Sequence, residues 1–491
     1  MSERQIPSTI DYSQVLPLSV PAIAKRQKFY AANGGVFSAA ANNEIRIPVH
    51  SVNSLCDPAH SYLEFAVRNV GGQTFGPDIG GAYNFFTECR IEQGGRVLSR
   101  IQELNRLYAA VITPCQDSSE GVSTEGIFGS RRTYTQGGAG AASLVVAAPG
   151  LTSDVYSLGR HNNQNYFANL DQHRFAMPIP TGLFNQDKLL PLPLVDNNSP
   201  ITIVLTLGIA ANVGCWNGLP GANDLEVFEL SYNAQLVEVG NDVIEQFRGV
   251  QDMFGGQLVL SGQDWEYSAA NIVANQQGSV DLRIPVRKRS IKSFFWIAQS
   301  DDYANTGGLG PSTTYNLGFS GQANVESWNL KFGSVVFPST PVRAMGNSAV
   351  AGAPFRRGES VMELAKAFGT LGFENPTGTL ATTSYCTDSL GIGDGDLGQG
   401  GAPRVPISNE TICVCPNGIS TEAFSRSITE SGVDVETLAQ ETYLTLNWAD
   451  GVGSGIEAKV IHTWTLYDQH YYFNRDGSIT LSLIHISEPT R

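Results

Sequence analysis

Apolar and polar residues alternate from Glu44 to Val49 (EIRIPV), which puts Ile45, Ile47 and Val49 on one side of an extended chain. The run returns as DLRIPV from Asp281 to Val286, position 281 answering to position 44. A second apolar strand is expected after each: Tyr62–Val67 (YLEFAV), with Leu63, Phe65 and Val67 on one face, and Lys292–Ala298 (KSFFWIA). Phe86–Leu98 then reads as strand, Gly-Gly turn and strand, and Trp328–Phe337 (WNLKFGSVVF) has the same shape. A short amphipathic helix is predicted behind each hairpin. Ser99-x-x-Gln102 would open the first as a capping box, with Ile101, Leu104, Tyr108 and Val111 as its stripe. Ser360-x-x-Glu363 would open the second, with Val361, Leu364, Phe368 and Leu371. Farther on, Ile201–Leu207 answers to Tyr443–Trp448, and Phe228–Val239 to Ala458–Phe473. Six features in one order at a nearly constant spacing predict a duplicated domain.

Domains dominated by short strands hide their edges by packing two sheets face to face or closing a barrel. The expected fold is all-β: two tandem eight-stranded jelly-roll β-sandwiches, each with a short helix and a long insert loop. The boundaries read as an N-terminal arm at 1–40, a first jelly roll at 41–240 with its insert at 113–170, a linker at 241–278, and a second jelly roll at 279–480 with its insert at 373–419. Inserts of this length carry function or projecting surface. Both follow the helix of their half, so both are expected to leave from the same side. Leu481–Arg491 (LSLIHISEPTR) looks like the conceptual translation of a transposase-type sequencing adapter, which puts the expected native end near Thr480.

Composition agrees with a β-rich chain. The 491 residues suit two cores. Only 16% are charged, and 52 glycines and 24 prolines supply turns. The net charge of −15 speaks against a reader of nucleic acid, which needs a basic face to displace counterions. The small basic clusters, Lys25-Arg26 with Lys28, Arg131-Arg132, Arg287-Lys288-Arg289 and Arg356-Arg357, read as solvated faces or interface rims. Seven scattered cysteines (56, 89, 115, 215, 386, 413 and 415) suggest reduced thiols in a cytosolic or nuclear setting. Cys413 and Cys415 share a strand face and could hold a metal, yet no second pair or histidine cluster lies near them; core or edge thiols are expected. Pro7, Pro17 and Pro21 interrupt the first thirty residues, so no signal peptide is expected, and no 18-residue apolar stretch predicts a membrane span.

Motifs for chemistry are weak. Gly393-x-Gly395-x-x-Gly398 lacks the flanking strand and helix of a dinucleotide site, and Asp394 and Asp396 beside it read as a solvated turn rather than a calcium loop. The histidines (50, 60, 161, 173, 462, 470 and 485) form no H-x-H, as a metal-binding cupin requires. Asp301-Asp302 reads as the start of a loop, although paired carboxylates serve sugar hydrolysis elsewhere. Phe294, Phe295, Trp296, Trp328, Trp448 and Trp464 are expected to pack between sheets, with a ligand platform as the alternative. No catalytic, cofactor or metal residue is assigned.

Several stretches carry a family resemblance. They are Ser61–Asn69 (SYLEFAVRN), Phe85–Val111, Arg174–Gly182 (RFAMPIPTG), Leu189–Leu192, Leu236–Val239, Ser425–Asp434 (SRSITESGVD) and Trp464–Asp468 (WTLYD). Over about residues 29 to 480 the chain resembles the double jelly-roll major capsid proteins of dsDNA viruses, in the adintovirus, Polinton (Maverick) and virophage group. The resemblance implies a non-enzymatic shell protein of the virion. It implies homotrimeric pseudo-hexagonal capsomers in an icosahedral capsid, insert loops projecting outward, and an arm reaching inward or to a neighbour. The implied partners are other copies of the chain and penton or minor capsid proteins, with no specific nucleic acid. The competing expectation is a tandem β-sandwich that binds carbohydrate or is cupin-like; a glycoside hydrolase on a β scaffold comes third.

Overall fold

The computed structural model describes residues 22–72, 75–77, 81–112, 170, 172–186, 188–210, 213–216, 221, 223–253, 255–300, 320–321, 325–343, 358–368, 412–413, 416–422, 432–435, 441–448, 454 and 458–481. The first half contains β1 (Ala22–Tyr30), β2 (Val36–Phe37), β3 (Glu44–Val49), β4 (Ser54–Asn69), β5 (Phe75–Pro77), β6 (Phe86–Gln93), β7 (Arg96–Gln102), β8 (Gln172–Met177), β9 (Ile201–Leu207), β10 (Gly214–Trp216) and β11 (Leu225–Val239). The second contains β12 (Gln257–Ile272), β13 (Ser279–Ile284), β14 (Ile291–Ser300), β15 (Ser320–Gly321), β16 (Ser327–Phe332), β17 (Val335–Arg343), β18 (Ile412–Cys413), β19 (Asn417–Ser420), β20 (Thr442–Asn447), β21 (Lys459–Asn474) and β22 (Ile479–Leu481).

Strand pairing in each half is nested. β1 pairs with β11, β3 with β9, β4 with β8 and β6 with β7, all antiparallel. The sheets run β1-β11-β4-β8 and β3-β9-β6-β7. That nesting is a long hairpin rolled into two four-stranded sheets, which is a jelly roll. The second half repeats it as β12-β21-β14-β19 and β13-β20-β16-β17. Even the register is copied. Ile45, Leu205 and Cys89 stand side by side across β3-β9-β6, as Leu282, Leu444 and Leu330 do across β13-β20-β16. The neighbouring rows are Ile47-Ile203-Ile91 and Ile284-Thr442-Phe332.

Period-two alternation decides what each sandwich buries. Ile45, Ile47, Phe65, Ile91, Ile203 and Phe175 meet inside the first. Trp296, Trp328, Leu330, Leu444 and Leu446 meet inside the second, where the two indoles sit edge to face at 5.8 Å. The Gly94-Gly95 turn joins β6 to β7 with both glycines at positive φ (57° and 81°), the geometry a two-residue hairpin requires.

Three expectations need correction. Each half begins one strand earlier than the alternation suggested. β1 lies inside the expected arm at 1–40, and β12 inside the expected linker at 241–278, and both take the same place at the edge of their sheet. β1 escapes notice because an edge strand carrying Lys25, Arg26 and Lys28 has little apolar alternation. The linker region also holds a helix, α2 (Asn241–Met253), whose Ile244 packs on Leu55 and Val239. The first capping box is absent. Ser99 lies within β7, and the helical turn α1 (Leu104–Arg106) follows Glu103, which sits at φ 50° with no side-chain cap, and continues as a π-helical turn over Leu107–Ile112. In the second half Ser360 falls inside α3 (Gly358–Ala367) and its hydroxyl donates to Asn417 Oδ1. The inserts at 113–170 and 373–419 lie almost wholly outside the described residues, as do residues 1–21 and 482–491. Leu481, the first residue of the adapter-like tail, pairs with Tyr471.

Candidate assembly surfaces

The two halves meet along an apolar seam. β14 supplies both of its faces: Phe294, Trp296 and Ala298 belong to the second core, while Phe295 and Ile297 join Trp464, Tyr471 and Phe473 in a cluster continuous with the first core. β7 packs along β12. At the tip of the β6–β7 hairpin, Gln93 donates to Gly477 O (2.8 Å) and accepts from Ile479 N (2.6 Å). Burial of this much apolar surface, at about 25 cal/mol per Å², makes the halves one block.

Polar groups in the seam are few, and several are hydrogen-bonded, although the buried Trp464 Nε1 has no partner among the described residues. The Arg106 guanidinium reaches Gln299 Oε1 and His462 Nε2. An arginine only donates, so Nε2 accepts and the imidazole carries its proton on Nδ1, which donates to Tyr267 Oη at 2.8 Å. Burial, then the neighbouring Arg106 charge, hold His462 well below the usual histidine range. Asp264 on β12 is fully buried, accepting from Tyr471 Oη (3.2 Å) and the Trp265 amide (3.2 Å). Burial pushes its carboxyl up from 3.8 to about 6, against hydrogen bonds from Ser99, Trp265, Tyr471 and Gly182 that favour the anion.

That carboxyl makes a testable pH contribution. Below about pH 4 it is protonated in both folded and unfolded chains and costs nothing. Above about pH 6 the folded chain holds a buried anion, so this group's contribution to stability falls as pH rises from 3.8 to about 6. Asp264→Asn keeps an acceptor and removes the charge. Urea unfolding of both proteins from pH 4 to 7 is expected to show the variant gaining on the parent by ~3 kcal/mol across that window; parallel curves would rule the assignment out.

The outer face of β3-β9-β6-β7 carries a charge lattice. Arg90 bonds Glu44 (2.7 Å), Glu88 (3.0 Å) and Glu92 (2.6 Å), Arg46 bonds Glu44 and Glu92, and Arg100 bonds Glu88. Burial raises the Glu44 carboxyl, but hydrogen bonds from Arg90 and Arg46 outweigh it and hold the group below its usual range. The second half has a sparser version, Lys331 with Asp281 at 2.8 Å and Arg283 with Glu441 at 2.7 Å. The carboxyls of Glu44, Glu88 and Asp281 are held below their usual range, so they stabilise the fold above their unfolded pKa, and that contribution is lost as pH falls through the lowered values.

The residues singled out in the sequence fall as follows. Phe294, Trp296, Trp328 and Trp448 pack between the sheets as expected, whereas Phe295 and Trp464 face the seam. None of these six rings is open to a ligand. Cys56 and Cys89 are buried free thiols, and burial pushes Cys56 up to about 11. Lys25, Arg26 and Lys28 bond Glu238, Asn233 and Glu64. Lys288 stands 4.1 Å over the Tyr467 ring. Among the described residues no group of three or more His, Cys, Asp or Glu could hold a metal, and no helix is long and apolar enough to cross a membrane. Arg131-Arg132, Asp301-Asp302, Arg356-Arg357, the 393–398 glycines, Asp394, Asp396, Cys115, Cys386 and Cys415 lie outside the described residues. Sequence reasoning missed Asp264, Arg106 and the contact of Gly182 with Gly262. A lone glycine in the strand-like run QLVLSGQDWEY was the available signal, since it marks close backbone approach.

No protein-family model matches the sequence, and no curated protein does. Solved structures do share its fold. PBCV-1 VP54, as fitted into a cryo-EM reconstruction of the virophage Sputnik, superposes with a TM-score of 0.55 at 12% identity, covering 96% of this chain and 99% of that one. The Faustovirus major capsid protein gives 0.53 at 6% identity over 93% and 91% of the two chains. A chain of the Sputnik virophage solved by cryo-EM gives 0.52 at 10% identity over 98% and 93%. With nested pairing in both halves and near-complete coverage in both directions, the chain has the double jelly-roll fold found in these viral capsid structures.

Proposed function

We propose that the chain is the major capsid protein of a dsDNA virus, forming homotrimeric pseudo-hexagonal capsomers of an icosahedral shell. The observation that carries this reading is the copied register. Two sandwiches with the same strand order and the same residue rows stand side by side in one polypeptide, joined by a buried seam. Three such blocks place six similar sandwiches around a ring, and a six-sided tile paves a closed surface. Closed rings arise when a head-to-tail contact repeats with a rotation that closes. The likeness to capsid proteins over nearly the whole chain supports the same reading.

The inserts at 113–170 and 373–419 follow equivalent strands, β7 and β17, and in this reading project from one side of the tile. Penton or minor capsid proteins are the further partners.

Size-exclusion chromatography with light scattering tests the trimer. A mass three times that of the chain is expected. A stable trimer of this kind should bury more than ~2,000 Å² and survive dilution to nanomolar concentration. A monomer at all concentrations would contradict the reading.

A further inference from the structure

We propose that His462 is a proton-sensitive latch between the two halves. The seam closes on its neutral ring, acid opens it, and Asp264 farther along the same interface works in the opposite direction. The inference goes beyond the capsid reading and concerns a single chain, so it stands or falls independently of the trimer.

Donor and acceptor geometry makes the latch. His462 lies on β21 of the second half and is 6% exposed. Arg106 comes from the first half as the last residue of α1, and its Nη1 stands 3.3 Å from His462 Nε2. A guanidinium has only N–H groups to offer, so this contact exists while Nε2 keeps its lone pair. The other ring nitrogen is engaged by Tyr267 Oη at 2.8 Å. A second proton therefore goes to Nε2, where it meets a cation that only donates. The same guanidinium reaches Gln299 Oε1 on β14, so an Arg106 pushed away loses two contacts with the second half at once. Around the ring, β12 contributes Tyr267, β14 the neutral Gln299, and β21 itself Trp464, stacked at 6.1 Å. On the first-half side stands the Glu103 carboxylate, already paired with Arg106 Nε at 2.8 Å. Lys459, three residues along β21, falls on the other face of the sheet.

The direction of the effect follows from linkage. The ordinary value of the ring is 6.5, and burial, then the Arg106 charge, hold it below that in the closed seam. The latch is whole above about pH 6.5 and weakens as pH falls, because the parted halves bind a proton that the joined halves refuse. Each pH unit then shifts the opening equilibrium about tenfold. Asp264 runs the other way. Its carboxyl is raised from 3.8 to about 6 in the folded chain, so over that window protons favour the closed seam. From about pH 4 to 6 the two contributions oppose each other, and a chain that has both keeps the seam closed where either alone would make it depend on pH.

Removing one member exposes the other. Amide hydrogen exchange of the full chain, corrected for the intrinsic pH dependence of the exchange chemistry, reads seam opening at β7, β12 and the α1 turn. In Asp264→Asn, opening should rise on the order of tenfold per pH unit as pH falls below about 6.5. Adding His462→Gln, which keeps an acceptor for Arg106 and does not titrate, should flatten that rise. β9, inside the first sandwich, should stay equally protected in both proteins. Parallel pH profiles with and without His462→Gln, or a rise at β9 as steep as at β7, overturn the inference. Should the double variant fail to fold, NMR of the His462 ring in Asp264→Asn decides. A ring that stays neutral until seam protection is lost supports the latch, and a ring that titrates near 6.5 while the seam remains protected overturns it.

Discussion

Phe65→Asp is expected to abolish soluble folded protein. Phe65 has no exposed surface and is ringed by Phe85, Phe86 and Phe175 at 5.9, 5.1 and 5.6 Å. It is also the direct cross-strand partner of Phe175. A carboxylate there has no donor to pair with, so its burial costs several kcal/mol on top of the lost ring packing. Stability of a domain is only about 5–15 kcal/mol, so the change consumes most of it. Phe65→Ala serves as the graded control. It leaves a cavity, costs ~3–5 kcal/mol, and should be soluble with a lower melting temperature. Expression with solubility fractionation and thermal melting checks both. Soluble, trimeric Phe65→Asp protein would show that this residue is not in the core.

Gly262→Val is expected to unlock the seam between the halves while leaving each sandwich assembled. A Cβ at 262 would collide with the carbonyl oxygen, carbon and Cα of Gly182, all backbone. The reverse approach is equally close, since a Cβ at 182 would lie 2.6 Å from Gln263 O. Backbone cannot rotate aside as a side chain can, so the cost is on the order of 3 kcal/mol or more. Because Asp264 and Tyr471 adjoin this contact, their hydrogen bond is lost with it. Calorimetry should show one transition in the parent and two in the variant. Amide exchange should accelerate across β7 and β12 but not across β9 or β20. A single unshifted transition would remove the seam's claim to join the halves.

Much of the duplication could be read before any coordinates, because half-buried central strands advertise themselves. Ile45, Ile47 and Val49 alternate with polar residues since only one face of β3 is covered. β1 was illegible for the opposite reason. As an exposed edge strand it is charged, and charged stretches look like arms. β12 was illegible because its long course changes surroundings: Leu260 faces the first half, while Ile272 faces the second core. The Ser99 capping box failed because a capping signature is local, and β7 is held extended by pairing with β6. Assembly surfaces were the least legible. An outer sheet face that meets solvent and one that would meet another copy both read as polar, so alternation cannot tell them apart.

Single-particle cryo-EM of the purified protein tests the central claim most directly. A three-chain ring with six sandwich-shaped densities, the two of each chain joined by the β7–β12 seam, is the predicted map. Particles containing one chain, or a ring in which the two halves occupy dissimilar positions, would contradict it.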